Sequence, residues 1–434
     1  MTPLTLAGER CAMTPVPAGS RRRYAHPSSS WSLPGRTRKG GSCLPMTTFR
    51  WRLGVLLVPL LLLGAAPPEP AAPARARMRV VFLNALGTGG GFSRQFRGAM
   101  HAAAHDLDIE LIDIDVGHWP GQILEQARQA VSGPDKPDYL ITSIHRGIGA
   151  RVLEVAEQAQ VPVFVVNSGL ALEERARFGG PREHFERWIG QMVPDDVGAG
   201  DRLVRLLIDA ARARGRSSVK GPVEGPVRLI AIEGQWGDTS ARQRHLGLRQ
   251  ALSAEKDVEL LQSVTAAWRR EESQRKTFLL LRRYPELQVI WAANDDLAMG
   301  AVQALEDAGR RPGEDVLVGG VDWTPEALEA VRGGKLVTSL GGHFLEGAWS
   351  LVLLYDHHQG RDFASERIDW RTEFLPATRA SAAGYLEVLG RPDWEAFDFR
   401  AFSKAANPRV KHYDFSLQAL FAQRHGRMDT NGNP

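Results

Sequence analysis

The segment QVIWAANDDLAMGAVQALEDAG (288–309) decides the fold of this 434-residue chain. Its first part, QVIWAAND (288–295), is a short, β-rich apolar run, which is typical of a buried strand. Its second part, DLAMGAVQALEDAG (296–309), places apolar residues at helical spacing. A buried strand that leads directly into a helix indicates one βα unit of a parallel sheet.

The same unit recurs on both sides of this segment. A looser polar stretch at 170–187 separates two sets of such units, so we predict an α/β fold with two Rossmann-like three-layer lobes. A chain of this length is expected to hold two or three domains. The further strands are predicted at 79–85, 109–116, 138–143, 161–168, 188–193, 227–234, 258–266 and 315–322.

The N-terminal part of the chain differs from the rest. Residues 1–45 show no hydrophobic periodicity, and we interpret them as a non-native extension upstream of a translation start at Met46. Residues 46–76 place Arg50 and Arg52 ahead of the apolar run LGVLLVPLLLL, and a small-residue stretch follows the run; together these features predict a cleaved signal peptide. The run is shorter than the roughly 20 residues of a membrane span, although a membrane anchor is the alternative. We expect cleavage after Ala76 or near Ala66.

The charge of the chain is unevenly distributed. Residues 1–76 hold ten Lys and Arg against two Asp and Glu, which leaves 44 against 48 and a net charge of −4 for the remaining 358 residues. The basic character therefore belongs to the leader, and the body offers no bulk attraction for nucleic acid. Both cysteines, Cys11 and Cys43, also lie upstream. A cysteine-free body suits an oxidising compartment such as the periplasm.

Polar and aromatic residues follow the predicted strands. Ligands of doubly wound sheets bind beyond the carboxyl ends of the strands, so these residues are candidate ligand contacts. Amides and carboxylates form paired hydrogen bonds with hydroxyl groups, and aromatic faces pack on the C–H faces of a sugar ring. The mixture favours a polyhydroxylated ligand. The candidates at the strand ends are Asn84, Phe92, His145, Asn167, Trp268, Asn294 and Asp322.

Some of these candidates have a structural alternative. Asn294 and Asp322 each precede a helix and can instead cap it, because Asn and Asp are favoured at helix N-termini. Phe92 and Trp268 can instead belong to the hydrophobic core. The sequence leaves these alternatives open.

No catalytic motif stands at the strand ends. The sequence Asp356-His357-His358 contains side chains that can bind metals, but adjacent residues at a helix end point apart. We therefore expect no metal, no other cofactor and no catalytic residues, and we interpret the chain as a binding protein rather than an enzyme.

The chain resembles the type I periplasmic solute-binding proteins, the ribose- and galactose-binding-like sugar receptors of the ABC type. The resemblance covers about residues 79–380 and depends on the combination of N-D-x-x-A-x-G-A and G-x-D-x-T-P-E-A-L. The family positions that contact the sugar correspond here to Arg242, Trp268, Asn294 and Asp322, and the aromatic residue near the first strand corresponds to Phe92. A surface salt bridge is the alternative for Arg242.

Two positions depart from the family pattern. Asn167-Ser168 stand where the family often has Asp-Arg, and Gly342-His343 replace a family amide. These changes alter the ligand chemistry and argue against ribose itself. His343 becomes a further candidate ligand contact.

The resemblance also implies a domain organisation. One lobe is expected to comprise residues 77–193 and 344–370, and the other residues 194–343 and 371–390, with a multi-strand hinge between them. Residues 391–434 extend beyond the usual family length, and we expect them to form a C-terminal arm packed on the body.

The function that the resemblance implies is capture of a small polar ligand, a monosaccharide or related polyol, in a cleft that closes over it. Delivery to the membrane permease of an ABC importer is the first expectation. The alternative is presentation to a membrane sensor such as a receptor kinase or cyclase, without transport, because the extra arm suggests an extra partner. We expect a monomer without a nucleic-acid partner, located in the periplasm after export through the cleaved signal peptide.

Overall fold

The computed structural model describes residues 77–430, apart from Thr88, His118, Arg146 and residues 217–224. The proposed N-terminal extension and signal peptide lie outside the described residues. Within the part of the chain that is described, no helix is both long and apolar enough to cross a membrane.

Strands and helices alternate along most of the described chain. The strands are β1 (Met78–Asn84), β2 (Ile109–Asp115), β3 (Tyr139–Thr142), β4 (Val163–Val166), β5 (Trp188–Pro194), β6 (Val227–Glu233), β7 (Val258–Thr265), β8 (Val289–Ala292), β9 (Leu317–Val321), β10 (Thr338–Gly341), β11 (Asp369–Thr372) and β12 (Leu375–Ala377). The α-helices are α1 (Gly91–Asp106), α2 (Pro120–Ala130), α3 (Gly149–Ala159), α4 (Leu172–Phe178), α5 (Asp196–Arg216), α6 (Thr239–Ser253), α7 (Arg270–Arg283), α8 (Asp295–Asp307), α9 (Pro325–Gly333), α10 (Glu346–His358), α11 (Ala382–Leu389) and α12 (Leu417–Thr430).

The strands form two six-stranded sheets with equivalent strand orders. The first sheet has the order β11-β5-β4-β3-β1-β2, and the second has the order β12-β10-β9-β8-β6-β7. Neighbouring strands are parallel except for the antiparallel pair β10 and β12. The predicted α/β fold with two lobes is confirmed. We call the first sheet with α1–α4 and α10 the first lobe, and the second sheet with α5–α9 and α11 the second lobe.

Each central strand of the first lobe is apolar on both faces. In β1, Val80 and Phe82 pack on the side of α1 and α10, whereas Val81 and Leu83 pack on the opposite side against α2 and α3. Successive side chains of a strand point to opposite faces, so a sheet covered by helices on both sides needs a continuous apolar run. This requirement explains the unbroken hydrophobic sequence VVFL.

The chain passes between the two sheets three times. The passages lie between Pro194 and Asp196, between Gly341 and Glu346, and between Thr372 and Leu375. The third passage follows β11, so Arg371 and Thr372 belong to the first sheet, whereas the sequence analysis placed residues 371–390 in the second lobe.

Helix α10 is apolar around most of its circumference. Such a helix must be covered on all sides, and α1, the first sheet and residues 394–420 cover it. The Trp349 ring of α10 contacts Phe402 and Phe415 of this C-terminal arm, with ring centroids 4.7 and 5.0 Å apart. The arm therefore completes the outer hydrophobic layer of the first lobe.

A buried carboxylate anchors the arm. Asp356 of α10 has no exposed surface and accepts hydrogen bonds from the backbone N–H groups of Lys404 (2.7 Å) and Ala405 (2.9 Å). It also accepts bonds from the hydroxyls of Ser403 and Tyr413, the latter at 2.9 Å. A buried charge is tolerated when its hydrogen-bonding capacity is filled, and here the arm fills it.

The C-terminal residues also connect the two lobes. Helix α11 packs on α9 of the second lobe, and the Tyr385 ring lies 4.0 Å from that of Trp323. A few residues later, Trp394 packs on α1 of the first lobe, where a Cβ on Gly98 would overlap its ring. Residues 390–394 are therefore a fourth passage between the lobes.

We expect Asp356→Ala to lower the free energy of unfolding by about 3 kcal/mol or more, because several buried donors of the arm lose their acceptor. Urea denaturation measures this change. Asp209→Ala, which removes an exposed carboxylate of α5, is the matched control and should cost less than about 1 kcal/mol. Equal effects of the two substitutions would contradict the anchoring role of Asp356.

Candidate ligand-binding site

The carboxyl ends of the two sheets face each other across the three passages. Gln95 of α1 donates a hydrogen bond to the Trp323 carbonyl of the second lobe at 3.2 Å. In each sheet the strand order reverses at the centre, between β1 and β3 and between β6 and β8. Ligands of such sheets bind at these reversal points. The two reversal points therefore face one cleft.

A buried arginine lies at the inner end of the cleft. Arg244 of α6 is 4% exposed, and its Nε donates to Asp196 Oδ1 at 2.7 Å. Its Nη1 donates to the Ala293 carbonyl at 2.7 Å and lies 3.9 Å from Asp322 Oδ1. Arg244 therefore ties the start of α5, the end of β8 and the end of β9 to one point.

Two glycines allow α5 and α6 to approach closely enough for this arrangement. A Cβ on Gly200 of α5 would overlap the Arg244 carbonyl oxygen, and a Cβ on Gly247 of α6 would overlap the Val197 carbonyl oxygen. The missing side chains bring the backbone of α6 against that of α5. This contact places the Arg244 guanidinium beside Asp196.

Three carboxyl groups surround this guanidinium. Burial raises the pKa of Asp196 to about 6, and Arg244 opposes that rise. Burial likewise raises the pKa of Asp322 well above its ordinary value, although Arg244 opposes this rise too. The pKa of Glu346 is raised well above its usual range by burial, against a hydrogen bond from Thr372. The inner end of the cleft is thus strongly acidic in composition.

Aromatic rings line the same region. The Phe92 ring stacks on the His343 imidazole with centroids 4.4 Å apart, and the centroid of the tilted Phe374 ring lies 4.5 Å from that of His343. The Arg244 guanidinium lies 5.9 Å from the centroid of Trp268. Burial lowers the pKa of His343 well below its ordinary value, so this imidazole is neutral.

Three of the predicted contact residues have strained backbones. Asn167, Trp268 and Asp322 have φ angles of 62°, 62° and 131°. Non-glycine residues rarely adopt positive φ, and such residues concentrate at functional sites. The Trp268 indole also donates to Asp238 Oδ2 at 2.8 Å, which fixes the orientation of its ring.

The remaining predicted residues lie around this cluster. Asn84 is fully buried, and its Oδ1 accepts from the Leu86 amide at 3.0 Å. His145 Nδ1 of the first lobe lies 3.6 Å from Asp238 Oδ1 of the second lobe. Asn294 caps α8, because its Oδ1 accepts from the Leu297 amide at 3.0 Å. The cap occupies the side-chain oxygen of Asn294. Its predicted contact with a ligand stays a prediction.

Arg242 lies apart from the buried cluster. Its side chain is 44% exposed and donates to Glu173 of α4 at 2.6 Å, across the opening between the lobes. The guanidinium inside the cleft is that of Arg244, two residues further along the same helix. The pair of Arg242 and Glu173 connects the rims of the two lobes in the described structure.

A small cavity lies at the inner end of the cleft. Its volume is about 40 Å³, and its lining includes Asn167, Gln191, Asp196, Gln243 and Arg371. One water molecule occupies about 30 Å³ in the liquid. Entry of a sugar-sized molecule at this point therefore requires the lobes to separate.

Comparison with known proteins assigns the family. Residues 80–362 match the periplasmic binding protein domain family. The chain belongs to this family. The resemblance on which the expected fold and binding role were based is therefore confirmed.

Relatives of known structure and function are sugar- or polyol-binding proteins. A periplasmic sugar-binding protein from Pseudomonas fluorescens has 36% sequence identity and a TM-score of 0.70, with 79% of this chain and 99% of that protein covered. The ribose import binding protein of Escherichia coli is 36% identical over 55% of this chain and 70% of its own length. The xylitol-binding protein of Mycolicibacterium smegmatis is 26% identical over 49% of this chain.

The sequence match to this last relative spans about half of its length, 54%. All these relatives are binding proteins, which confirms the interpretation of the chain as a binding protein rather than an enzyme. Among the described residues, no group of three or more His, Cys, Asp and Glu side chains is arranged to hold a metal ion.

Sequence analysis missed three residues of the buried cluster, Arg244, Asp196 and Glu346. A signal for Arg244 is present in the sequence. Ala241, Leu248 and Ala251 form the buried face of α6, and Arg244 lies in phase with them, three residues after the first and four before the second. Arg242 is about 200° around the helix from Arg244, since each residue turns the helix by about 100°.

A double-mutant cycle tests the contact between the rims. Arg242→Ala and Glu173→Ala should each lower the free energy of unfolding slightly, with a small favourable coupling that falls in 1 M NaCl. Urea denaturation of the two single variants and the double variant gives the coupling. A coupling of zero would contradict the pair and leave Arg242 available for its predicted ligand contact.

Proposed function

We propose that this protein captures a sugar or related polyol in the cleft between its lobes and delivers it to the membrane permease of an ABC importer. The proposal includes export into the periplasm through the predicted signal peptide and action as a monomer. The names of the relatives support it, because they bind ribose or xylitol or are described as sugar-binding.

One observation carries the proposal. The buried Arg244 lies at the end of β8, beside the reversal point of the second sheet, and 3.9 Å from Asp322. Trp268 of the second lobe lies beside Arg244, and Phe92 of the first lobe stacks on His343, which lies 3.6 Å from Asp322. Guanidinium and carboxylate groups form paired hydrogen bonds with hydroxyl groups, and aromatic faces cover the apolar faces of a sugar ring. A ligand held by both lobes stabilises the closed state, because only that state satisfies both sets of contacts.

The size of such a ligand is sufficient for useful affinity. Micromolar binding requires about 8 kcal/mol. A monosaccharide of about 12 heavy atoms stays well below the upper limit of about 1.5 kcal/mol per atom. A few hydrogen bonds and one ring contact are therefore enough, and closure of the lobes removes them from water. The closed state then presents one combined surface of both lobes to a permease.

Thermal-shift screening of sugars and polyols tests the binding. A ligand at 100 times its dissociation constant should stabilise the protein by about 2.7 kcal/mol and raise the melting temperature accordingly. If a broad panel of sugars and polyols gives no shift while another class of small molecules does, the carbohydrate assignment is wrong.

Two substitutions test the location of the site. We expect Trp268→Ala and Asp322→Asn each to weaken binding of the ligand found in that screen at least tenfold while the protein stays folded. The physical reasons are loss of a ring contact and loss of a charged acceptor. Calorimetric titration measures the affinity, and circular dichroism checks the fold. Trp236→Ala is the control, since this indole is 50% exposed and packs on His245, and unchanged affinity is expected there. Wild-type affinity in both test variants would exclude this cleft.

A further inference from the structure

The buried charges of the cleft do not balance. Asp196, Asp322 and Glu346 are each at most 5% exposed, and Arg244 is the buried cation among them. Arg244 Nε donates a hydrogen bond to Asp196 Oδ1 at 2.7 Å. Asp322 Oδ1 lies 3.9 Å from Arg244 Nη1, which is too far for a hydrogen bond. Ionised carboxylates in low dielectric need a partner or must bind a proton. The cleft therefore has capacity for further positive charge.

One carboxylate oxygen at this point is unsatisfied. Glu346 begins α10 directly after the second passage, and its Oε1 accepts a hydrogen bond from Thr372 of the third passage. Its Oε2 is buried and has no hydrogen-bond partner among the described residues. The same carboxyl interacts with the backbone of Asn167 and with the charges of Asp196 and Arg244. This oxygen thus lies between the strand ends of the first lobe and the buried cluster, and none of the described residues donates to it in full hydrogen-bond geometry.

The neighbouring groups do not supply the missing charge. His343 Nε2 lies 3.6 Å from Asp322 Oδ1, but the imidazole is neutral and its Nδ1 is also buried without a partner. Asp295 adds a fourth buried carboxyl behind Asp322, where Ser339 and Thr324 donate to its oxygens. The other charged groups that act on these acids are Asp195, Asp296 and the Arg371 guanidinium, whose residue is exposed.

We propose that the cleft prefers an aminated ligand, a sugar or polyol whose protonated amino group lies among Glu346, Asp322 and Asp196. The inference rests on the proposed sugar-binding function and narrows its ligand class. An ammonium group has three donors and no acceptor, so it complements a surface of carboxylate oxygens. A hydroxyl group in the same place supplies one donor and no charge, so the buried acids keep their protons. The aromatic faces of Phe92 and Trp268 remain available for the ring or chain of the ligand.

Matched ligand pairs test the preference. Isothermal titration with D-glucosamine and D-glucose, D-galactosamine and D-galactose, and D-glucamine and D-glucitol compares an amino group with a hydroxyl on one skeleton. N-acetyl-D-glucosamine provides an uncharged amide control. We expect an aminated member to bind at least tenfold more tightly than its hydroxyl partner and than the amide.

The pH dependence gives a second readout. At low pH the buried acids hold protons, and an ammonium group must displace them. Because burial raises the pKa of Asp196 to about 6, the affinity for the aminated ligand should rise between about pH 5.5 and 7.5, by up to about tenfold per pH unit for each proton displaced. Titrations in two buffers of different ionisation enthalpy should show proton release, which a neutral ligand does not cause.

A matched pair of variants connects the preference to Glu346. Glu346→Gln should reduce the ratio of affinities for amine over hydroxyl about tenfold. Glu373→Gln removes an exposed carboxylate of the third passage and should leave the ratio unchanged. If Glu346→Gln does not fold, the matched ligand pairs and the proton release, both measured on the wild-type protein, still test the preference for amines.

The outcomes separate this inference from the function on which it rests. Equal or tighter binding of a hydroxyl member overturns the preference for amines and leaves sugar binding intact. Binding of an aminated member without proton release also overturns the assignment to these carboxylates. If no member of the panel and no other sugar or polyol binds, the proposed function fails, and this inference fails with it.

Discussion

A guanidinium buried between carboxylates constrains the whole inner end of the cleft. Arg244 belongs to the second lobe, but its partners lie at the first passage (Asp196) and at the end of β8 (the Ala293 carbonyl). Because a buried charge without partners is costly, these elements must keep their relative positions in the folded protein. The close contact of α5 and α6 at Gly200 and Gly247 follows from the same need. The second lobe thereby presents a rigid polar surface to the first.

The fold could be predicted from the sequence because the buried strands are uninterrupted apolar runs. Both faces of the central strands are covered, so runs such as VVFL and VIWA remain apolar without interruption. Continuous apolar runs between helices leave little choice but a parallel sheet. The carboxyl ends of parallel strands lie together, and this placement made Phe92, Trp268 and Asp322 candidate ligand contacts, whereas His343 became a candidate through its departure from the family pattern.

The residues at the inner end of the cleft could not be predicted from the sequence. Their positions depend on which face of a helix is buried and on partners far away in the chain. Choosing between Arg242 and Arg244 required knowing which face of α6 packs on α5. The apolar residues in phase with Arg244 mark that face, but their meaning is clear only once the packing of α6 is known. Asp356 resembled part of a metal motif, but its partners lie 47 to 57 residues later in the chain. No local pattern shows such a pairing. The acidic character of the cleft was hidden for the same reason, since its carboxyls come from α5, α10 and the end of β9.

The C-terminal position of β11 and the arm delays completion of the first lobe during synthesis. Strands β1–β5 end at Pro194, but the edge strand β11 begins 175 residues later at Asp369, and the arm follows it. A ribosome that adds about 5–20 residues per second needs about 9–35 s for that interval. Until then the first lobe has neither its edge strand nor its aromatic cover, and α10 itself is made only shortly before β11. This delay extends the time during which the first lobe is incomplete, which suits the export of an unfolded chain that we propose.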